Sequence, residues 1–113
     1  MTRHTSVSIH ALSAGYLTLP ERFFVTPLDD PESRRTVPSL SFLIVHTDHS
    51  TEEVTRLVFD LGIRKCLEDY PEEILKHAST RKPISGKPDV VQSLASGNLN
   101  PSDIDGVIFS HLH

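Results

Sequence analysis

The chain has no tryptophan, two tyrosines, a single cysteine and no long hydrophobic run. One cysteine, Cys66, excludes an internal disulfide. It stands in Arg64-Lys65-Cys66-Leu67-Glu68, at an expected helix start, where a partly buried small side chain is the plain reading and a nucleophile the minority one. The longest apolar stretch, Phe42-Leu43-Ile44-Val45, falls far short of the roughly 20 residues that span a bilayer. The start, Met1-Thr2-Arg3-His4, lacks the apolar segment of a secretory leader. No membrane association and a cytoplasmic location are therefore the expectations. Eleven basic residues against fifteen acidic ones leave a formal charge of −4, and no Lys/Arg stripe forms. Nucleic-acid binding by phosphate neutralisation has no footprint here.

At 113 residues the chain is long enough for one small domain and too short for two. A hydrophobic share of 37% and few aromatics predict a thin core. Thr5 to Leu12 alternates, with Val7, Ile9 and Ala11 on one side, and reads as a half-buried strand. Ala14-Gly15-Tyr16 reads as a turn, Leu17-Thr18-Leu19 as a second short extended piece, and Pro27 to Ser33 as an exposed loop. Ser39 to His46 reads as an interior strand buried on both faces. A polar tip, Thr47 to Glu53, leads to a return strand, Arg56 to Asp60, that pairs with it antiparallel and closes at Leu61-Gly62.

Two helices are expected next. Pro71 followed by Glu72 and Glu73 suits a first helical turn, and Pro88-Asp89 opens a second helix with Gly97 as its terminator. Ile104, Val107, Ile108 and Phe109 form a last apolar run into Ser110-His111-Leu112-His113. Strands, two helices and a strand make a mixed α/β (α+β) chain rather than an all-β one.

The ending carries the clearest chemistry. Two histidines one residue apart at the mouth of a strand can turn both imidazoles to one point, and zinc takes nitrogen donors in near-tetrahedral placement. By itself His-x-His is a common spacing, more often polar edging than a ligand pair. His46 and His49, three apart at the hairpin tip, read as solvated. His4 and His10 read as polar edging of the first strand, and His77 as a helix-end cation. Ser110 lacks the Gly-x-Ser-x-Gly setting of a serine nucleophile.

Asn100 to His113 nevertheless resembles the helix-turn-strand that delivers the first ligands in the metallo-β-lactamase superfamily, whose motif runs His-x-His-x-Asp-His. Leu57-Val58-Phe59-Asp60-Leu61-Gly62 resembles the preceding family strand ending in Asp-x-Gly, and Ser39 to His46 the strand paired with it. Pro38 and Tyr16 to Pro20 resemble the branch containing N-acyl-homoserine lactonases.

The resemblance implies that residues 1–113 form the amino-terminal part of a four-layer αββα sandwich, incomplete, and broken off within the motif. It implies one or two zinc ions in the complete domain, with His111 and His113 as the first two metal ligands, and weak or no zinc binding in these 113 residues. No catalytic residue carries over. Asp60 takes a structural role, its carboxylate accepting backbone N–H bonds. The implied activity is zinc-dependent hydrolysis of a small-molecule lactone, ester or thioester, the metal lowering the pKa of a bound water. The chain alone is expected to be inactive and to self-associate through exposed strands. A non-catalytic shortened family member serving as an interaction or regulatory fragment is the alternative, and an unrelated small α/β binding domain the third.

Overall fold

The computed structural model describes residues 4–111 as one four-stranded sheet and two short helices. Strand β1 spans Thr5–Pro20, β2 Arg34–Asp48, β3 Glu53–Phe59 and β4 Gly106–Ile108; α1 is Glu72–Ala78 and α2 Val90–Ser96. The order across the sheet is β1-β2-β3-β4, with β1, β2 and β3 antiparallel and β4 parallel to β3. A parallel neighbour requires a crossover, and the segment holding both helices supplies it. The architecture is α+β, as the order of elements predicts, and consistent with part of a lactamase-like fold.

The β2–β3 hairpin has the expected pairing, from Phe42 opposite Phe59 to Asp48 opposite Glu53. Asp48 accepts the Ser50 N–H at 3.0 Å and so turns the tip. Helix α2 begins where Pro88-Asp89 places it. The Asp89 carboxylate accepts the Gln92 N–H at 2.8 Å, and the Gln92 side-chain oxygen accepts the Asp89 N–H at 3.0 Å, which closes a capping box. Its Leu94 packs with Leu12, Leu43 and Val58 in the buried core, and Val45, Val90, Leu99 and Ile104 surround them.

Several expectations need correction. β1 is one continuous strand. Ala14-Gly15-Tyr16 is a bulge in it rather than a turn, with the register shifting between Ser13 and Tyr16. The bulge frees backbone groups for other segments: the Ala14 carbonyl accepts the Ile63 N–H at 2.9 Å, and Tyr16 and Ser85 exchange N–H···O bonds of 2.8 and 2.9 Å.

The phase of β1 is also opposite to expectation. Val7 and Ile9 are 60% and 66% exposed, whereas Leu12 and Ala14 are buried, because α2 covers the Leu12 side. β2 is interior in the sheet but buried on one face only. Ser41 and Leu43 are covered, while Leu40 is exposed and Phe42 and Ile44 only half-buried. Cys66 is exposed rather than partly buried, since it precedes a single 3-10 turn, Leu67–Asp69, that packs no side chain into the core. Among the described residues no helix is long and apolar enough to cross a membrane.

Candidate functional site

β3 and β4 run side by side, so the residues that follow them leave the sheet at the same end. Asp60 follows β3 and Ser110-His111 follows β4 by one residue, and the parallel pairing of Phe59 with Ile108 brings them together across fifty positions of sequence. Asp60 is pinned on every side. Its N–H donates to the Ile108 carbonyl at 2.9 Å, and its own carbonyl accepts the hydroxyl of buried Ser41. Its backbone has φ +60°, a left-handed conformation that aspartate tolerates better than most residues.

This geometry aims the Asp60 carboxylate at the start of the histidine motif. Oδ1 accepts the Ser110 N–H at 2.8 Å and Oδ2 accepts the Ser110 hydroxyl at 2.6 Å. Ser110 Oγ in turn lies 2.7 Å from His111 Nδ1. The structural role expected for Asp60 is therefore what the geometry shows: two donors of one residue converge on one carboxylate. The Ser110 hydroxyl and then its backbone N–H hold the Asp60 carboxyl below the usual carboxylate range against the opposing effect of burial, and the charge of His111 is the smallest contribution.

A carboxyl whose pKa is lower folded than unfolded binds fewer protons in the native state. Its stabilising contribution is complete above the unfolded value, about 3.9, and is lost as pH falls through the lowered native value. Unfolding free energy measured between neutral pH and pH 3 should therefore drop less steeply for Ser110→Ala than for the wild type. Identical slopes would remove the Ser110 hydroxyl as the main cause.

A groove of about 700 Å³ opens beside this corner. Asp60, Phe109 and His111 line it on the sheet side, with Leu40 next to them, and α1 contributes Ile74 and His77 opposite. Its lining is mainly apolar, with Asp60 and His111 on the sheet side and Glu73, His77 and Arg81 among its other polar members.

Of the two expected metal ligands, His111 sits at this corner, and His113 lies outside the described residues. His111 by itself suits a metal, since a ligating histidine is ordinarily anchored through its other ring nitrogen. The donor set does not: among the described residues no group of three His, Cys, Asp or Glu side chains could hold an ion. His49 remains at the hairpin tip with its ring 2.8 Å from the Ser6 hydroxyl, and His10 bonds Ser8, both exposed. His49 is at the opposite end of the sheet from the Asp60 corner, and His10 stands on β1, level with Leu43 and Val58 and two strands away from β3.

Sequence reasoning considered Ser110 only as a nucleophile and missed it as the hub joining Asp60 to His111. Only strand pairing reveals that role. Of α1, whose Ile74 and Ala78 the sequence marks as inward-facing, it missed that Glu73 and His77 also line the groove.

Two known proteins are similar to this chain in sequence. The chain is 28% identical over 103 residues to the gamma-lactamase FDB1 of Fusarium pseudograminearum (strain CS3096), an alignment covering 89% of this chain and 25% of that protein. It is 29% identical over 114 residues to the metallo-hydrolase mfmC of Annulohypoxylon moriforme, covering 96% of this chain and 28% of the relative. The chain thus spans about a quarter of the length of the curated relatives it matches. No protein-family profile and no solved structure matches it.

Proposed function

We propose that this chain is the amino-terminal part of a metal-dependent hydrolase of the metallo-β-lactamase type, contributing His111 and His113 to a one- or two-zinc site. The observation that carries the reading is the Asp60–Ser110–His111 corner. The Asp-x-Gly strand end and the Ser-His-x-His strand end are joined there by hydrogen bonds, at the rim of an apolar groove. The names of the two relatives, a gamma-lactamase and a metallo-hydrolase, support it. The substrate class proposed is a small lactone, lactam, ester or thioester, with its carbonyl at the Asp60–His111 side of the groove and its apolar part along Leu40 and Ile74.

The 113 residues alone are expected to be inactive. A catalytic zinc takes three protein ligands and a water, and the motif provides two histidines within this sequence. Purified chain with added zinc should show no turnover of model γ-lactam, lactone and thioester substrates. Zinc titrated calorimetrically should bind weakly and lose that binding in a His111→Ala/His113→Ala variant. Binding that is equal in both proteins would take these histidines out of the site. Zinc-dependent turnover abolished by His111→Ala would overturn the expectation of inactivity.

A further inference from the structure

β1 is an outer strand of the sheet, with β2 on one side only. The rest of the chain covers its outward edge for part of its length. The Ser13 carbonyl accepts the Ser93 hydroxyl, and Tyr16 and Ser85 exchange their N–H···O bonds there. Before Ser13 this cover ends. Every residue from Thr5 to Ala11 is exposed, and among the described residues no group hydrogen-bonds to the outward backbone of this stretch.

The register decides which backbone groups face out. The His49 N–H donates to the His4 carbonyl at 2.8 Å, and hydrogen-bonded pairs alternate along an antiparallel ladder. Ser6, Ser8 and His10 therefore bond to β2, while Thr5, Val7, Ile9 and Ala11 point their N–H and C=O groups outward. An open edge of this kind templates another strand, and proteins ordinarily blunt it with charge, proline or a bulge. None of these guards the open half. Thr5 to Pro20 contains no charged residue, its proline is the last residue, and the bulge lies between Ser13 and Tyr16.

We infer that the outer edge of β1 from Thr5 to Ala11 is a homodimer seam, pairing antiparallel with the same stretch of a second copy about a two-fold axis at Ser8. The open stretch sets this register, because Ser8 is its midpoint. Thr5 then stands opposite the second copy's Ala11, and Val7 opposite its Ile9. These are the residues with outward groups, so the ladder crosses the axis without an unpaired donor or acceptor. Sliding the axis to Ile9 would draw in Ser13, whose carbonyl is already taken by Ser93. Side chains match on both faces: Val7 and Ile9 meet apolar to apolar, Ser8 meets Ser8, and Ser6 meets His10. Self-pairing brings no like charges together. A seam without charge also gives a charged peptide nothing to recognise, so the occupant that fits is this strand itself.

The test uses single cysteines at Ser6, Ser8 and His10, on the side of β1 away from Val7 and Ile9. A Cys66→Ser background removes the exposed native thiol. Ser8 faces its own copy as a non-hydrogen-bonded pair with Cα atoms about 4.5 Å apart, within disulfide reach. Ser6 and its copy are offset by about 14 Å along the strand, as are His10 and its copy, too far to bridge. With oxidised glutathione, Ser8→Cys should form a disulfide-linked dimer about tenfold faster than Ser6→Cys or His10→Cys alone. An equimolar mixture of Ser6→Cys and His10→Cys chains should link one to the other. Similar rates at all three positions, as association through the apolar face would give, would overturn the inference. So would a Ser8→Cys chain that stays unlinked, which would leave the edge to some other strand.

Discussion

Replacing Gly62 with alanine is expected to destabilise the fold by about 2–5 kcal/mol. Gly62 has φ +70°, and a Cβ added there would overlap both the Cβ and the carbonyl of Ala14. A side chain forced into left-handed backbone costs roughly 1–2 kcal/mol, and overpacking a tight contact typically adds about 1–3 kcal/mol. Neither cost relaxes easily. Ala14 is fully buried, and its carbonyl is held by the Ile63 N–H at 2.9 Å. A domain holds only about 5–15 kcal/mol of net stability, so the loss is a large share of the whole.

Gly97 is the matched control. Its φ is −100°, and an added Cβ would meet nothing nearer than the Leu94 carbonyl at 3.6 Å. Urea denaturation should place the Gly62→Ala midpoint far below wild type and the Gly97→Ala midpoint close to it, with similar slopes. Equal midpoints for the two variants would show that the Gly62 contact does not constrain the fold. Because Asp60 lies two residues upstream, the same substitution should also disturb the Asp60–Ser110 bonds.

Self-association of the purified chain is the second large effect expected. Opposite the face covered by α2, the strand register aligns Ile9 with Ile44 and Leu57, and Ala11 with Phe42, Phe59 and Ile108. Val7 and Leu40 extend this face along β1 and β2. Between Leu40 and Thr55 it carries no charged residue. Ile9 is 66% exposed, Val7 60%, Leu40 45% and Ile108 43%. Each large apolar side chain left in water forfeits roughly 1.5–3 kcal/mol of burial, and a contiguous apolar field of this kind marks an interaction surface. In a complete αββα sandwich, as the resemblance implies, a second sheet packs here. For the 113-residue chain the available partner is a second copy.

Sedimentation velocity at micromolar concentration should therefore show species larger than a monomer. The double variant Ile9→Lys/Ile44→Glu should shift the distribution to monomer. These two positions lie directly opposite each other in the sheet, so the opposite charges can pair without breaking the strand. A wild-type chain that sediments as a monomer, with a sharp cooperative thermal transition, would show that the face needs no partner.

What the amino-acid order determines by itself are the features that local physics governs. The polar tip between two β-rich runs specifies the β2–β3 hairpin, and Pro88-Asp89 with Gly97 delimits α2. Neighbours in sequence set these features, so they can be read without knowing what packs where. Which face of β1 is buried could not be read this way. Val7-Ile9-Ala11 is as apolar as a core face, and only the position of α2 makes Leu12 and Ala14 the buried side. The bulge at Ala14-Gly15 was equally illegible, since its purpose is to release carbonyls toward Ile63 and Ser85, far along the chain. The Asp60–Ser110–His111 corner is the strongest case. Its members are fifty residues apart, and only the parallel pairing of β3 with β4 brings a carboxylate, a hydroxyl and an imidazole within hydrogen-bond reach. Hydrogen bonds act over about 3 Å, so their partners are chosen by tertiary structure, whatever the sequence separation.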